Sequence, residues 1–383
     1  MKFGFLSEGE TPAGKSYTTR YWELIDEVLL AEKMGFDVFG TSEQHVPIGG
    51  VSTTCPEVLY SYLAAKTSRI RIRHTAVVLP YRINHPIRVA ERAAAEDILS
   101  HGRIEVYMAR GNTTTALRAF NVDLNETLPQ WEEGFALIRR ALAEDLFTFE
   151  GQYFQVPPRR LVPKPVQKPY PPLGAIATSE RSHQRAGELG IGAISHSNFK
   201  GWEYLRAMRD LYVKAWQPDP YGAREKPYSA VLVLAHCAET KEKAREEASD
   251  RFATYIRNSW SSYPVMAKHS QDYGYMKEVA DLFEQLNNYD YLVNDSASAV
   301  IGDPEDCIRQ IERYQSLGYD EVMLRIDSLE HHEHLKSIEM FGKYVIPHFK
   351  DRNNICPPYE EILAEIRAHR KNVAETGAPD ASS

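Results

Sequence analysis

Between residues 70 and 112 the chain spells out one unit of a parallel sheet, and no other stretch narrows its fold as much. The run IRIRHTAVVLP (70–80) is strand-like, HPIRVAERAAAEDILS (85–100) has helical spacing, and RIEVYMARGN (103–112) is strand-like again. Strand, amphipathic helix and strand in so short a span make a βαβ crossover, the connection that parallel strands require. The second strand runs directly into Arg110, Gly111 and Asn112. That places a guanidinium and backbone amides at a strand C-terminus, where α/β barrels put their chemistry.

The alternation continues on both sides. Residues 2–7 (KFGFLS) and 36–40 (FDVFG) read as strands, with a helical pattern over 17–34 that stops at Gly35. Further helices are expected over 56–67 and about 129–144. Apolar runs at 173–177, 192–195, 231–238 and 321–325 complete eight strands, and helical segments follow at 181–189, 202–216, 241–258 and 334–348. Eight strands alternating with helices predict an α/β fold, a (β/α)8 TIM barrel with loop insertions. Such a barrel needs roughly 250 residues, and the chain has 383. The surplus is assigned to an insertion at about 259–296, rich in Ser, Tyr, Asn and Asp, with a short helix near 278–286. Long insertions on barrel loops often act as lids. A single barrel domain is expected over 1–350 and an extension over 351–383, disordered after Ala374. The proline-rich QVPPRRLVPKPVQKPYPP (155–172) reads as an extended surface connection.

Bulk properties exclude some functions. A net charge of −8 argues against a nucleic-acid surface. No apolar run reaches the ~18 residues that a membrane span needs, and the N-terminus enters a strand without a leader pattern. Cys55, Cys237, Cys307 and Cys356 form no CxxC and read as reduced thiols of a cytoplasmic protein. His331, His332 and His334 look like a metal cluster, but adjacent helical residues do not share a face, and no metal site is expected.

Several ordered motifs carry a family resemblance. VVLPYRINHPIRVAERAAAEDILSHGRIEVYMARG (77–111) has a His-Pro helix start, a turn built on Asp97, Ser100, Gly102 and Arg103, and a strand ending in Arg-Gly. EGQYF (150–154), ATSERSHQRAGELG (177–190) and GDPEDCIRQIERYQSLGYDEVML (302–324) follow in order. Together, over about residues 1–350, they resemble the bacterial luciferase-like flavin monooxygenases. The resemblance implies a flavin ring at the C-terminal mouth of the barrel. It also implies reduced FMN (FMNH2) from a separate NAD(P)H:flavin reductase, and a dimer packed through the early helices, here a homodimer.

The candidate site residues lie at strand ends. Glu43, Gln44 and His45 end the second strand, where a histidine can act as acid or base near neutral pH. The luciferase subunit has Glu-His-His there and uses the first histidine. Gln44 occupies that place here, so either His45 substitutes or the reaction needs no base. Arg110 is suited to bidentate contact with a phosphate, and Gly111 lets backbone approach it, with Asn112 beside them. Ala177, Thr178, Ser179 and Ser182 combine hydroxyls with a helix start, an anion site in which Ser179 also serves as N-cap. The resemblance assigns both segments to the FMN phosphate. Thr75, Ala76 and Val77 would lie against the flavin ring or serve as plain core, in a region where the family often has a non-proline cis peptide. His196, with Ser197, ends the sixth strand near where the family contacts the ring. The turn from Asp97 to Arg103 is structural, on the bottom face of the barrel.

The mechanism implied is reaction of reduced FMN with O2 to a C4a-(hydro)peroxyflavin, which oxygenates a small organic substrate while the protein excludes water. A deazaflavin (F420)-dependent hydride-transfer enzyme and a non-catalytic flavin-binding protein are the alternatives. A metal-dependent barrel hydrolase is disfavoured, because no His-x-His ends the first strand. Aldehyde, ketone, amine and aromatic substrates all stay open.

Overall fold

The computed structural model describes residues 1–350 except 48–49, 112, 260–262 and 283–284. Eleven strands are described: β1 (Lys2–Leu6), β2 (Val38–Thr41), β3 (Arg71–Val78), β4 (Ile104–Ala109), β5 (Phe147–Glu150), β6 (Gln155–Arg159), β7 (Leu173–Ala177), β8 (Gly192–Ser195), β9 (Ser229–Cys237), β10 (Ala299–Gly302) and β11 (Glu321–Arg325). Eight of them close a parallel ring in the order β1-β2-β3-β4-β7-β8-β9-β11. The seam is β11 on β1, from Lys2 opposite Glu321 to Leu6 opposite Arg325. This is the (β/α)8 barrel, and its eight strands are those read from the apolar runs.

Local chemistry explains the elements that carry the site. The helix Pro86–Leu99 starts at Pro86, whose missing N–H costs nothing there, with His85 Nδ1 accepting from Ile87 N. It turns Val89, Ala90, Ala93 and Ala94 inward, then stops at His101 and Gly102, both with positive φ. Arg103 locks that stop by donating to the carbonyls of Ala64, Thr67, Ile70 and Ser100. Inside the barrel, Leu6, Tyr107, Ile194, Ala230 and Met323 form a buried core. Tyr107 fits because Gly174 and Gly192 face it; a Cβ at either would come within 2.2 Å of its side chain.

Three elements depart from the sequence reading. Residues 155–172 do not begin as a plain extended connection, because β6 pairs antiparallel with β5. Two prolines, Pro157 and Pro158, sit in β6, tolerated because this two-stranded sheet is all edge. β10 is a ninth parallel strand, outside the ring on the second half of β9. The insertion holds helices Tyr263–His269, Met276–Ala280 and Tyr289–Asn294, where a helix near 278–286 was expected. Its Met266, Tyr273, Met276 and Leu292 share an apolar core with Phe252 and Ile256 of the helix Lys241–Ser259, Leu117 of the helix Thr114–Ala119, and Phe199. Met1–Ile346 is one compact unit, and a second begins at Pro347. The expected extension over 351–383 and its tail lie outside the described residues.

Candidate active site

The mouth of the barrel gathers the strand ends. After the end of β2, the Glu43 side chain is only 6% exposed and receives three hydrogen bonds: His45 Nε2 at 2.6 Å, Val78 N at 2.9 Å and Asn84 Nδ2 at 2.7 Å. Burial pushes its carboxyl up, but these donors outweigh it and hold the pKa below the usual range. A carboxylate only accepts, so His45 gives it the Nε2 proton, which leaves Nδ1 as the basic nitrogen. The ring of His45 lies edge-on to Phe120, 5.1 Å between centroids. Gln44 turns the other way. Its Nε2 reaches Ser42 Oγ at 3.2 Å and Glu8 Oε1 at 3.4 Å, and Ser42 Oγ donates to the same Glu8 oxygen at 2.7 Å.

β3, the next strand, ends in a cis peptide between Thr75 and Ala76. Thr75, Ala76 and Val77 are buried, and the register on β4 slips between Thr75 and Val77. They form a small-residue surface between the end of β2 and the end of β4.

The two segments expected to bind an anion follow on the next two strands, β4 and β7. After β4, the Arg110 guanidinium lies 4.5 Å from the Tyr273 ring centroid, a cation–π contact, and Gly111 takes positive φ. Asn112 lies outside the described residues. After β7, Ser179 caps the helix Glu180–Glu188 in a reciprocal capping box with Ser182. Ser182 Oγ also accepts from the amides of Thr178 and Ser179. His183 fixes this turn, its Nδ1 donating to Ser179 O at 2.8 Å and its Nε2 accepting from Ser195 Oγ at 2.9 Å. Ala177 is buried beneath. Residues of the insertion reach both segments. Tyr273 donates its hydroxyl to Gly111 O at 3.0 Å, and the Tyr275 hydroxyl lies 2.8 Å from Thr178 Oγ1.

His196 follows β8, buried, with Nδ1 accepting from Asn198 N. Burial lowers its pKa to about 4, as it does that of His183, so both rings are neutral at pH 7. Asn198 adopts positive φ and donates Nδ2 to Thr178 O. The histidines 331 and 334 do not face a common void: both direct Nδ1 at Glu27 Oε1, at 3.0 and 2.9 Å.

One cluster escaped the sequence reading. Arg325, the last residue of β11, is buried among Glu10 (3.0 Å), Glu8 (3.3 Å) and Asp327 (3.5 Å), with the Tyr255 ring 3.3 Å away. Tyr255 donates its hydroxyl to Glu8 Oε2 at 2.9 Å. Arg20 joins Asp327 to Glu27 behind it. Glu8 thus links the arginine to Ser42 and Gln44. No local signal marks this group, because barrel closure assembles it from residues more than three hundred positions apart.

Comparison with known proteins agrees with this architecture. Residues 1–321 match the family model described as luciferase-like monooxygenase. The oxygenase component of the flavin-dependent trigonelline monooxygenase from Acinetobacter baylyi is 25% identical over 86% of this chain and 90% of its own length. Two solved structures share the fold. The oxygenating constituent of 3,6-diketocamphane monooxygenase from Pseudomonas putida, in complex with FMN, has a TM-score of 0.71 at 18% identity, covering 91% of this chain and 98% of that one. The F420-dependent tetrahydromethanopterin reductase from Methanopyrus kandleri has a TM-score of 0.66 at 17% identity, covering 91% and 99%. With the family model matched along most of the sequence, the chain belongs to the luciferase-like monooxygenase family.

Proposed function

We propose that this protein is the oxygenase of a two-component system, taking reduced FMN from a separate NAD(P)H:flavin reductase and using O2 to oxygenate a small organic substrate. The observation that carries this reading is the order of chemistry around the ring. Consecutive strands β2, β3, β4 and β7 present a carboxylate–histidine pair, a small-residue surface, an arginine, and a hydroxyl-rich helix start. That order fits FMN. Arg110, Thr178, Ser179 and the first turn of the helix Glu180–Glu188 would hold the phosphate. Thr75, Ala76 and Val77 would take the ring, and Glu43–His45 would face its reactive edge. Bound reduced FMN supplies the two electrons that activate oxygen. His45 Nδ1 would then hold or move a proton, with Glu43 fixing the tautomer. The insertion, packed across the mouth, would exclude water. His45 takes the role that the family's histidine at the Gln44 position has.

A homodimer fits an exposed aromatic face on the first two helices, Tyr17–Lys33 and Pro56–Lys66, where Trp22 and Tyr62 meet edge to face and Tyr17 and Val58 are exposed. Sedimentation velocity tests it, and a monomer at all concentrations would remove it.

The deciding experiment is an anaerobic titration with reduced FMN, followed by mixing with oxygenated buffer while the flavin spectrum is recorded. Saturable binding and slowed reoxidation are expected. Binding of F420 without FMN would move the chain to the hydride-transfer branch. Replacing Arg110 by Ala should weaken FMN about ten- to a hundredfold, the loss of one charge-assisted bond, and leave riboflavin unchanged. Equal losses for both flavins would remove the phosphate assignment.

A further inference from the structure

The insertion does more than lie over the mouth, because a three-residue piece of it bridges the ends of β4 and β7. Tyr273 is buried, stacks on Arg110 and donates to Gly111 O. Two residues on, the Tyr275 hydroxyl meets Thr178 Oγ1. The next helix is tied down as well, by the ion pair of Glu278 with Lys200. Burial pushes the pKa of the Tyr275 hydroxyl up, against the bond to Thr178 and the Arg110 charge, so it stays a protonated donor. Through Tyr273 and Tyr275, two residues apart, the insertion therefore links Arg110 to Thr178, although the three come from separate parts of the chain.

The proton count of that group is informative. Thr178 and Tyr275 each own one O–H, and their mutual bond consumes one of the two protons. A phosphate ester at neutral pH offers only acceptors, and bonds from O–H to an anionic oxygen are roughly twice as strong as neutral ones. Exchanging one neutral bond for two charge-assisted bonds is favourable. We propose that Tyr275 is a ligand of the cofactor phosphate, supplied by the insertion and shared with Thr178 and Arg110. This rests on the FMN reading above. It makes the insertion part of the phosphate site, so a flavin without phosphate does not engage the insertion through this residue.

The test is the dissociation constant of reduced FMN and of reduced riboflavin, measured anaerobically for the wild type, Tyr275→Phe and Thr178→Val. The Phe variant keeps the ring and its packing. It is expected to weaken FMN about three- to thirtyfold and leave riboflavin unchanged, and the Val variant should lose FMN preference in the same sense. Inorganic phosphate should compete with FMN on the wild type and compete less well on Tyr275→Phe. If Tyr275→Phe weakens both flavins equally, or neither, Tyr275 only ties the insertion to the barrel and the proposal falls while the FMN reading stands. If the wild type itself binds FMN and riboflavin alike, there is no phosphate site and both readings fall together.

Discussion

The two ends of β11 each carry one partner of a buried arginine cluster, and the clusters are built differently. At the N-terminal end, Glu321 receives Arg73 through two bonds of 2.6 and 2.8 Å, and Arg73 reaches Glu105 at 2.7 Å. Arg71 also pairs with Glu105, and Tyr228 donates to Glu321. Two arginines face two carboxylates there, and each carboxylate oxygen is engaged. At the C-terminal end, Arg325 touches three carboxylates at 3.0–3.5 Å. With Arg20 included, Glu27 and Glu23 join them, and two arginines face five carboxylates. The floor is matched in charge and short in distance. Around Arg325 the contacts are longer, and three carboxylates share one arginine.

The sharpest way to break this contrast is to remove each arginine. Arg73→Met would leave Glu105 and Glu321 buried without their main partner. Deleting one member of a buried ion pair typically costs about 3–5 kcal/mol, so the denaturant midpoint should fall steeply. The floor also resists acid. Burial raises the Glu105 carboxyl, but Arg73 and Arg71 outweigh it and bring it down to about 2. Its contribution is therefore complete above the ordinary carboxylate range and is lost only as pH falls toward 2. Arg325→Met should cost less, about 1–3 kcal/mol, because its ion pairs are longer, 3.0–3.5 Å, and each of its carboxylates keeps another donor. Glu8 retains Ser42 and Tyr255, Glu10 retains Ser328, and Asp327 retains Arg20 and Ser7. Equal losses in the two variants, measured by urea unfolding, would show that the clusters do the same work.

The contrast also explains what the sequence could disclose. The eight ring strands were legible because each is an apolar run bounded by polar or glycine-containing turns. β6 was not, because QVPPR has two prolines and no alternation, and β10 was passed over although it is as long as β2 and β8. The short helices of the insertion span five to seven residues, too few for a helical period to stand out. Among the candidate site residues, Glu43–His45, Arg110–Gly111 and Thr178–Ser182 could be singled out in the sequence because each is one local motif at a strand end. Glu8, Arg325, Tyr273 and Tyr275 were not, since their chemistry exists only after β1 meets β11 and the insertion folds back. The floor arginine was equally hidden: Arg73 sits in a run, IRIRHTAVV, whose alternation shows a strand but not which carboxylates it will meet.

The smallest expected effect tests the surplus acid directly. Glu10 is held by Arg325 and by Ser328 Oγ at 2.6 Å. Burial raises its pKa, Arg325 lowers it, and Asp327 raises it again, and the net shift is upward. The folded state therefore keeps the Glu10 proton to a higher pH than the unfolded chain does. Between those two values the folded state binds more protons, so stability falls as pH rises through the window, and the full cost is present above it. Glu10→Gln removes the charge and keeps a group that can bond Ser328. It should raise the melting temperature at pH 7 by on the order of 1–2 °C, with the gain shrinking to nothing as pH drops below the ordinary carboxylate range. Thermal unfolding of both proteins across that range reads the difference. A Gln variant that is less stable at pH 7 would mean the Arg325–Glu10 pair stabilises outright, and the mouth would then be as well matched as the floor.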